Sequence, residues 1–300
     1  MPKYNQLTLH RIKHLPTLTA ELGCNHRGDL KTAFSMVDSI KKIPLLGIVK
    51  FQKRTISPDT LRNFYEAHPK PSESYGKTYG EHRLALEFSL DEHKSLKKYI
   101  ESFSLDYMSS VWDMGSAEDI VSLKPKHIKI PSAKNLDERL VDYVLSRRVP
   151  LVHVSLGLLI PSQIKNLIKR IAKKAIKNQR IVFYFCVSGY PTPPTEACLL
   201  EMANLKNELQ QLNSRYLSLG FSNHDAGISL DAFSLLFGVT HIERHVTLNK
   251  TWKGTDQKFS LTPGELSQLG QNLTDCGNAL DWRPKKQLLQ SEKPSQKKLK

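Results

Sequence analysis

Short apolar strands alternate with amphipathic helices about eight times along this chain, and that alternation limits the fold more than any other feature. Strand patterns occupy residues 17–23, 45–51, 107–112, 127–130, 149–155 and 180–187, and two more fall within 217–247. Residues 180–187 (RIVFYFCV) are continuously apolar, as expected of a strand buried on both faces of a parallel sheet. The helices between them carry their own start signals. Asp29 precedes a stripe of Leu30, Phe34, Val37 and Ile40, and Ser89-Leu90-Asp91-Glu92 is a capping box ahead of Leu96, Tyr99 and Ile100. A short helix is expected from Ser116, another from Asn135 as cap to residue 148, and a basic one opening near Pro161. Residues 196–212 and 263–280 complete the set, and 54–83 read as a long polar connection. Eight strand–helix units predict an α/β fold, a closed (β/α)8 TIM barrel over residues 1–280. The competing open, doubly wound sheet lacks its expected G-x-G-x-x-G after the first strand.

The composition excludes several classes. No apolar run is long enough to span a bilayer, and the N-terminal residues have no apolar core of a secretory signal. Cys24, Cys186, Cys198 and Cys276 are scattered without C-x-x-C spacing, so a reducing, cytoplasmic setting is expected rather than a disulfide framework or zinc knuckle. The net charge of +15 gathers on the basic helix and on a tail in which residues 285–300 hold six lysines against one glutamate. Both read as solvated surface. No aromatics are interleaved there, so no specific nucleic-acid partner is expected. Residues 281–300, with almost nothing apolar to bury, are expected to form a disordered Lys-rich tail dispensable for folding.

In such a barrel, chemistry belongs at the C-terminal ends of the strands. Segment 217–247 reads strand, loop, helix, strand, with Leu230, Phe233, Leu236 and Phe237 at helical spacing. It places His224 beyond one strand and Glu243 and His245 on one face of the next. Two imidazoles on neighbouring parallel strands suit a divalent metal with open positions. Around the same rim fall Glu21, Lys50, Gln52, Ser110, Lys129, Ser132, Ser188, Tyr190, Ser222 and Asp256. Two lysines facing several hydroxyls would hold a phosphate or carboxylate.

The ordered motifs AELGCNHRGDL, VKFQK, IKIPSAKN, CVSGYPTP, GFSNHDAGI, IERHVTL and KGTDQKFSL resemble those of the sialic acid synthase (N-acetylneuraminate synthase) family across nearly the whole barrel. The resemblance implies condensation of phosphoenolpyruvate with an aldose such as N-acetylmannosamine. The product is a nine-carbon 2-keto sugar acid, and phosphate is released. It also implies a divalent metal, with manganese preferred over magnesium, on His224 and His245, and Glu21 as the essential acid. Lys50, Lys129, Ser132 and Ser222 would then bind phosphoenolpyruvate, assisted by Ser110 and Ser188, while Gln52, Tyr190 and Asp256 hold the sugar. A homodimer is compatible with it. The family's longer members carry a C-terminal antifreeze-like domain whose Arg reaches the partner's site. No such domain is expected here, and Arg83 is a candidate cation in its place. Lys134 stands where the family has a sugar-contacting Glu, Asn223 where it has Asp, and Gln257 where it often has His. The alternative reading is a diverged barrel that binds sugar phosphates without this turnover, or one tethered by its basic tail to RNA or an anionic membrane.

Overall fold

The computed structural model describes residues 14–281 and 288–299. Eight parallel strands close into a barrel in sequence order. They are β1 (Thr17–Gly23), β2 (Leu46–Lys53), β3 (Asp106–Val111), β4 (His127–Ile130), β5 (Leu151–Ser155), β6 (Arg180–Cys186), β7 (Leu217–Asn223) and β8 (His241–His245). The seam joins β1 to β8 with Glu21 opposite His245. It is sealed above by Asn25, whose Nδ2 donates to the Val246 carbonyl at 2.8 Å across 221 residues of sequence.

The helices are α1 (Leu30–Ile40), α2 (Tyr79–Leu86), α3 (Leu90–Glu101), α4 (Met114–Ser122), α5 (Glu138–Ser146), α6 (Pro161–Lys174), α7 (Glu201–Gln211), α8 (Leu230–Phe233), α9 (Pro263–Ala279) and α10 (Lys293–Leu299). Asp29 caps α1 by accepting from the amides of Lys31 and Thr32, which turns Ala33, Met36, Val37 and Ile40 onto the sheet. Reciprocal Ser89/Glu92 and Thr262/Glu265 boxes start α3 and α9. The main core lies between barrel and helices, with Leu18, Val49, Tyr107, Ile128, Val152 and Phe183 facing outward from the strands. The basic face of α6 meets carboxylates on its neighbours: Arg170 and Lys174 reach Asp142 at 2.6 and 2.5 Å, and Lys165 reaches Glu208 at 3.1 Å.

Some local expectations are corrected. Residues 54–83 are not a featureless loop. A bridge between Ala67 and Thr78 pins the connection, and Thr78 and Glu81 form a capping box that opens α2. Asp137, not Asn135, caps α5; Asn135 is buried, and its Nδ2 donates to the carbonyls of Ser155 and Gly157 at 2.9 and 3.0 Å. The helix expected from 196 begins at Glu201, after a 3-10 turn and a positive φ of 47° at Cys198. Between β7 and β8 only one α-helical turn forms before 3-10 geometry takes over. Phe233 is consequently 56% exposed, and Asp231 and Ser234 turn inward instead. Of the tail expected over 281–300, residues 282–287 and 300 lie outside the described residues, and residues 290–299 form helical turns that bury no side chain. No helix among the described residues is long and apolar enough to cross a membrane.

Below the rim, polar groups fill much of the barrel's interior. Asp106 Oδ2 contacts His127 Nε2 at 3.2 Å, His127 Nδ1 meets His153 Nε2 at 3.0 Å, and His153 Nδ1 meets Tyr184 Oη at 3.0 Å. Outside the barrel, His93 Nδ1 pairs with Tyr107 Oη at 2.7 Å and His26 stacks on Phe88 at 4.0 Å. Burial lowers both His26 and His93 to about 3. Between that value and about 6.5, the unfolded chain takes up protons that the native state does not. Stability is therefore fully present above pH 6.5, and should fall on acidification by on the order of 1 kcal/mol per pH unit for each ring. Urea midpoints at pH 7 and pH 5 measure this; equal midpoints would refute it.

Candidate active site

The strands end in a cavity of about 440 Å³. Every predicted site residue lines it: Glu21, Lys50, Gln52, Ser110, Lys129, Ser132, Ser188, Tyr190, Ser222, His224, His245 and Asp256. Strand register explains the convergence. Glu21 stands between Lys50 on β2 and His245 on β8, Gln52 pairs with Ser110, Ser110 with Lys129, and Ser222 with Glu243.

Four buried charges form the cavity floor. Lys50 Nζ lies 2.7 Å from Glu21 Oε2 and 3.6 Å from Glu243 Oε1, while Lys129 Nζ reaches Glu243 Oε1 at 2.5 Å. Burial would raise Glu243, but Lys129 and Lys50 outweigh it and hold the carboxyl at about 2. Glu21 is raised by burial, which the nearby Lys50 only partly offsets, and its Oε1 accepts from Gln52 Nε2 at 2.9 Å. Burial lowers Lys129, whose ammonium sits 4.4 Å over the Tyr184 ring. Burial also opposes the charge on Lys50, but its two glutamates more than compensate and raise it.

Two further groupings flank this floor. On one side the hydroxyls of Ser132, Ser155 and Ser188 join at 2.8 and 3.1 Å, with Cys186 Sγ 3.8 Å from Ser132 Oγ. Burial pushes the Cys186 thiol up, and His224 and Lys129 more than reverse this, to about 6. On the other side the His224 and His245 rings lie 5.3 Å apart, with Asp256 Oδ2 3.5 Å from His245 Nδ1. Tyr190 packs on His224 at 4.5 Å. Burial drives His245 far below the usual imidazole range, reinforced by His224 and Lys50, so its ring is neutral at ordinary pH.

Sequence reasoning left other lining residues without a role. Glu243 was legible from its alternation with His245. Cys186, Arg54, Trp112 and Tyr79 also line the cavity and carried no comparable signal. Lys134, at the position of the family's sugar-contacting Glu, is not among the lining residues, whereas its neighbour Ala133 is. Asn223 and Gln257 likewise serve loops. Asn223 Nδ2 donates to Asp225 at 2.7 Å and Asp231 at 3.2 Å, and Gln257 bonds to Thr247.

The NeuB family model matches residues 36–284. The chain is 32% identical over 287 residues to N-acetylneuraminate-9-phosphate synthase of Mus musculus, covering 96% of this chain and 77% of that protein. It is 30% identical over 282 residues to N,N'-diacetyllegionaminic acid synthase of Legionella pneumophila, covering 90% and 74%. The crystal structure of an N-acetylneuraminic acid synthetase from Leptospira borgpetersenii shares the fold, with a TM-score of 0.75 at 23% identity over 95% of this chain and 91% of that one. Closed barrel, cavity and sequence relatives agree, and the chain belongs to the NeuB family of transferase-type synthases.

Proposed function

We propose that this protein condenses phosphoenolpyruvate with an aldose, giving a nine-carbon 2-keto sugar acid and releasing phosphate. One observation carries the reading: a single cavity holds a two-lysine, multi-hydroxyl cradle beside a pair of adjacent imidazoles. Lys50, Lys129 and the hydroxyls of Ser110, Ser132, Ser188 and Ser222 supply donors for a phosphate and a carboxylate. Gln52, Tyr190 and Asp256 stand around the remaining volume, where the sugar would lie.

His224 and His245 fit a divalent metal, manganese or magnesium. Nδ1 of His224 lies 3.0 Å from the Val187 carbonyl, which leaves Nε2 with its lone pair free. Nδ1 of His245 is buried without a hydrogen-bond partner, and Asp256 is the nearest carboxylate. A metal bound there supplies Lewis-acid polarisation of the acceptor aldehyde. The protein's own groups do the rest. The lysines hold the phosphoryl oxygens while the enol carbon adds to the aldehyde, whose oxygen takes a proton. They hold them until water has added at C2 and the C2–O bond to phosphate breaks to leave the ketone. Glu21, raised by burial and steered by Lys50 and Gln52, is placed to take the proton of the water that adds to the former enol C2. Asn223 and Gln257, departures from the family pattern, lie outside this cavity, which supports an active enzyme.

Incubating the protein with phosphoenolpyruvate, manganese and a panel of aldoses should release phosphate only when an acceptor is present. Absence of release across the panel would refute the proposal.

Gly157 provides a sharper check on the cradle. A Cβ there would stand 2.6 Å from Ser132 Oγ and closer still to Ser188 Oγ. Gly157→Ala should therefore displace both hydroxyls and raise KM for phosphoenolpyruvate by about tenfold, the value of one charge-assisted hydrogen bond. An unchanged KM would remove the serines from phosphoenolpyruvate binding.

A further inference from the structure

Lys50, Gln52 and Arg54 alternate along β2 and just beyond its end, so they rise on one side from the cavity floor toward its mouth. At about 3.3 Å per residue, Arg54 stands roughly 13 Å of chain from Lys50. Its guanidinium carbon lies over Trp112, 3.3 Å from the ring centroid, and its Nε is buried without a hydrogen-bond partner. Arg83, on α2, also faces the cavity. Its Nε and Nη2 donate to Tyr79 Oη at 3.0 and 2.7 Å.

Among the described residues neither guanidinium forms an ion pair. Glu87, the carboxylate near Arg54, is engaged by Lys53 at 2.8 Å and by the Arg54 backbone amide at 3.0 Å. The Cys24 thiol beside Arg83 is pushed up to about 11 by burial and stays neutral. Burial brings Arg54 down to about 10, and the neighbouring charge of Arg83 adds to that. The contrast with the floor is informative, because each lysine there faces a glutamate. Two guanidinia on one cavity wall, neither held in an ion pair among the described residues, favour an anion with several oxygens.

We propose that Arg54 and Arg83 form a second anion subsite, which holds a phosphate ester on the acceptor sugar. This rests on the condensation proposed above. In that reaction the aldose C1 joins the three-carbon unit and becomes C4 of the product, so C6 becomes C9. The phosphate of phosphoenolpyruvate departs. An ester at C9 must therefore enter on C6 of the acceptor, at the end remote from the reacting aldehyde. The floor binds the phosphoenolpyruvate and the aldehyde end, and the arginines stand farther out along β2, where C6 would lie. Relatives of this chain include both a 9-phosphate synthase and a synthase whose name carries no phosphate. The arginine pair places this chain with the former.

The test compares N-acetylmannosamine with its 6-phosphate in the full chain, with phosphoenolpyruvate and manganese present. The phosphorylated acceptor should be preferred at least tenfold in kcat/KM. Arg54→Gln and Arg83→Gln should each cut that preference about tenfold or more, mainly through KM. A preference for the unphosphorylated sugar, or a ratio unmoved by either variant, overturns the subsite. If neither sugar turns over, the condensation reading fails, and calorimetric binding of the 6-phosphate decides the subsite by itself. Binding lost in Arg54→Gln upholds it, while absent or unaltered binding overturns it.

Discussion

Arg244→Ala is expected to destabilise the protein by on the order of 3–5 kcal/mol, the cost of removing one partner from a buried ion network. Arg244 is 1% exposed. Its Nη1 donates to Asp225 at 2.9 Å and Asp231 at 2.6 Å, and its Nη2 donates to the carbonyls of Asp225 and Gly227, both at 2.7 Å. Burial already raises Asp231 to about 6 against the pull of Arg244. Without the cation, that carboxyl must take a proton or remain charged in an apolar setting. Chemical denaturation at pH 7 measures the loss, and Asp231→Asn in the same background should recover part of it. A loss below about 1 kcal/mol would show that the network does not hold the β7–β8 connection. Because the same loop carries His224, the variant should weaken metal binding even where the barrel survives.

Substituting either His224 or His245 with alanine is expected to lower metal-dependent turnover by about 10³-fold or more, consistent with several kcal/mol of charge stabilisation at the aldehyde oxygen. The fold should remain, because neither ring belongs to the main apolar core. Calorimetric titration with manganese provides a readout independent of catalysis: wild-type protein should bind, and each variant should bind weakly or not at all. Turnover that persists in either variant, or in excess chelator, would remove the metal from this pair.

The parts of this molecule that the sequence revealed are those set by local periodicity. Strands such as Thr17–Gly23 and caps such as Asp29 depend on neighbours a few residues away, and they were readable within one or two positions. The site was readable for the same reason, because alternation placed Lys50 with Gln52, and Glu243 with His245, on common faces. What escaped depends on distant contacts. Asn135 looks like a cap, but the carbonyls at the end of β5 claim its side chain. Phe233 fits a helical stripe, but the segment unwinds and the pull of Arg244 on Asp231 turns that residue inward. Arg83 was named only through the family resemblance, and its place beside Arg54 depends on a polar stretch pinned by the Ala67–Thr78 bridge, which no periodicity announces.

The seam between β1 and β8 has a consequence for folding. Glu21 lies on one side of it and His245 on the other, and Asn25 bonds Val246 and Ser260 above. These contacts join residues 221 and 235 positions apart in sequence and come with a high loop-closure entropy, so they are expected to form late. Seven of the eight strand pairings could be in place, with most helices docked, while the charge cluster is still open at one side. Secondary structure should therefore return in refolding before catalysis does. Activity in this barrel should then report ring closure, and a chain nicked or slipped at the seam is expected to be inactive while still looking largely native.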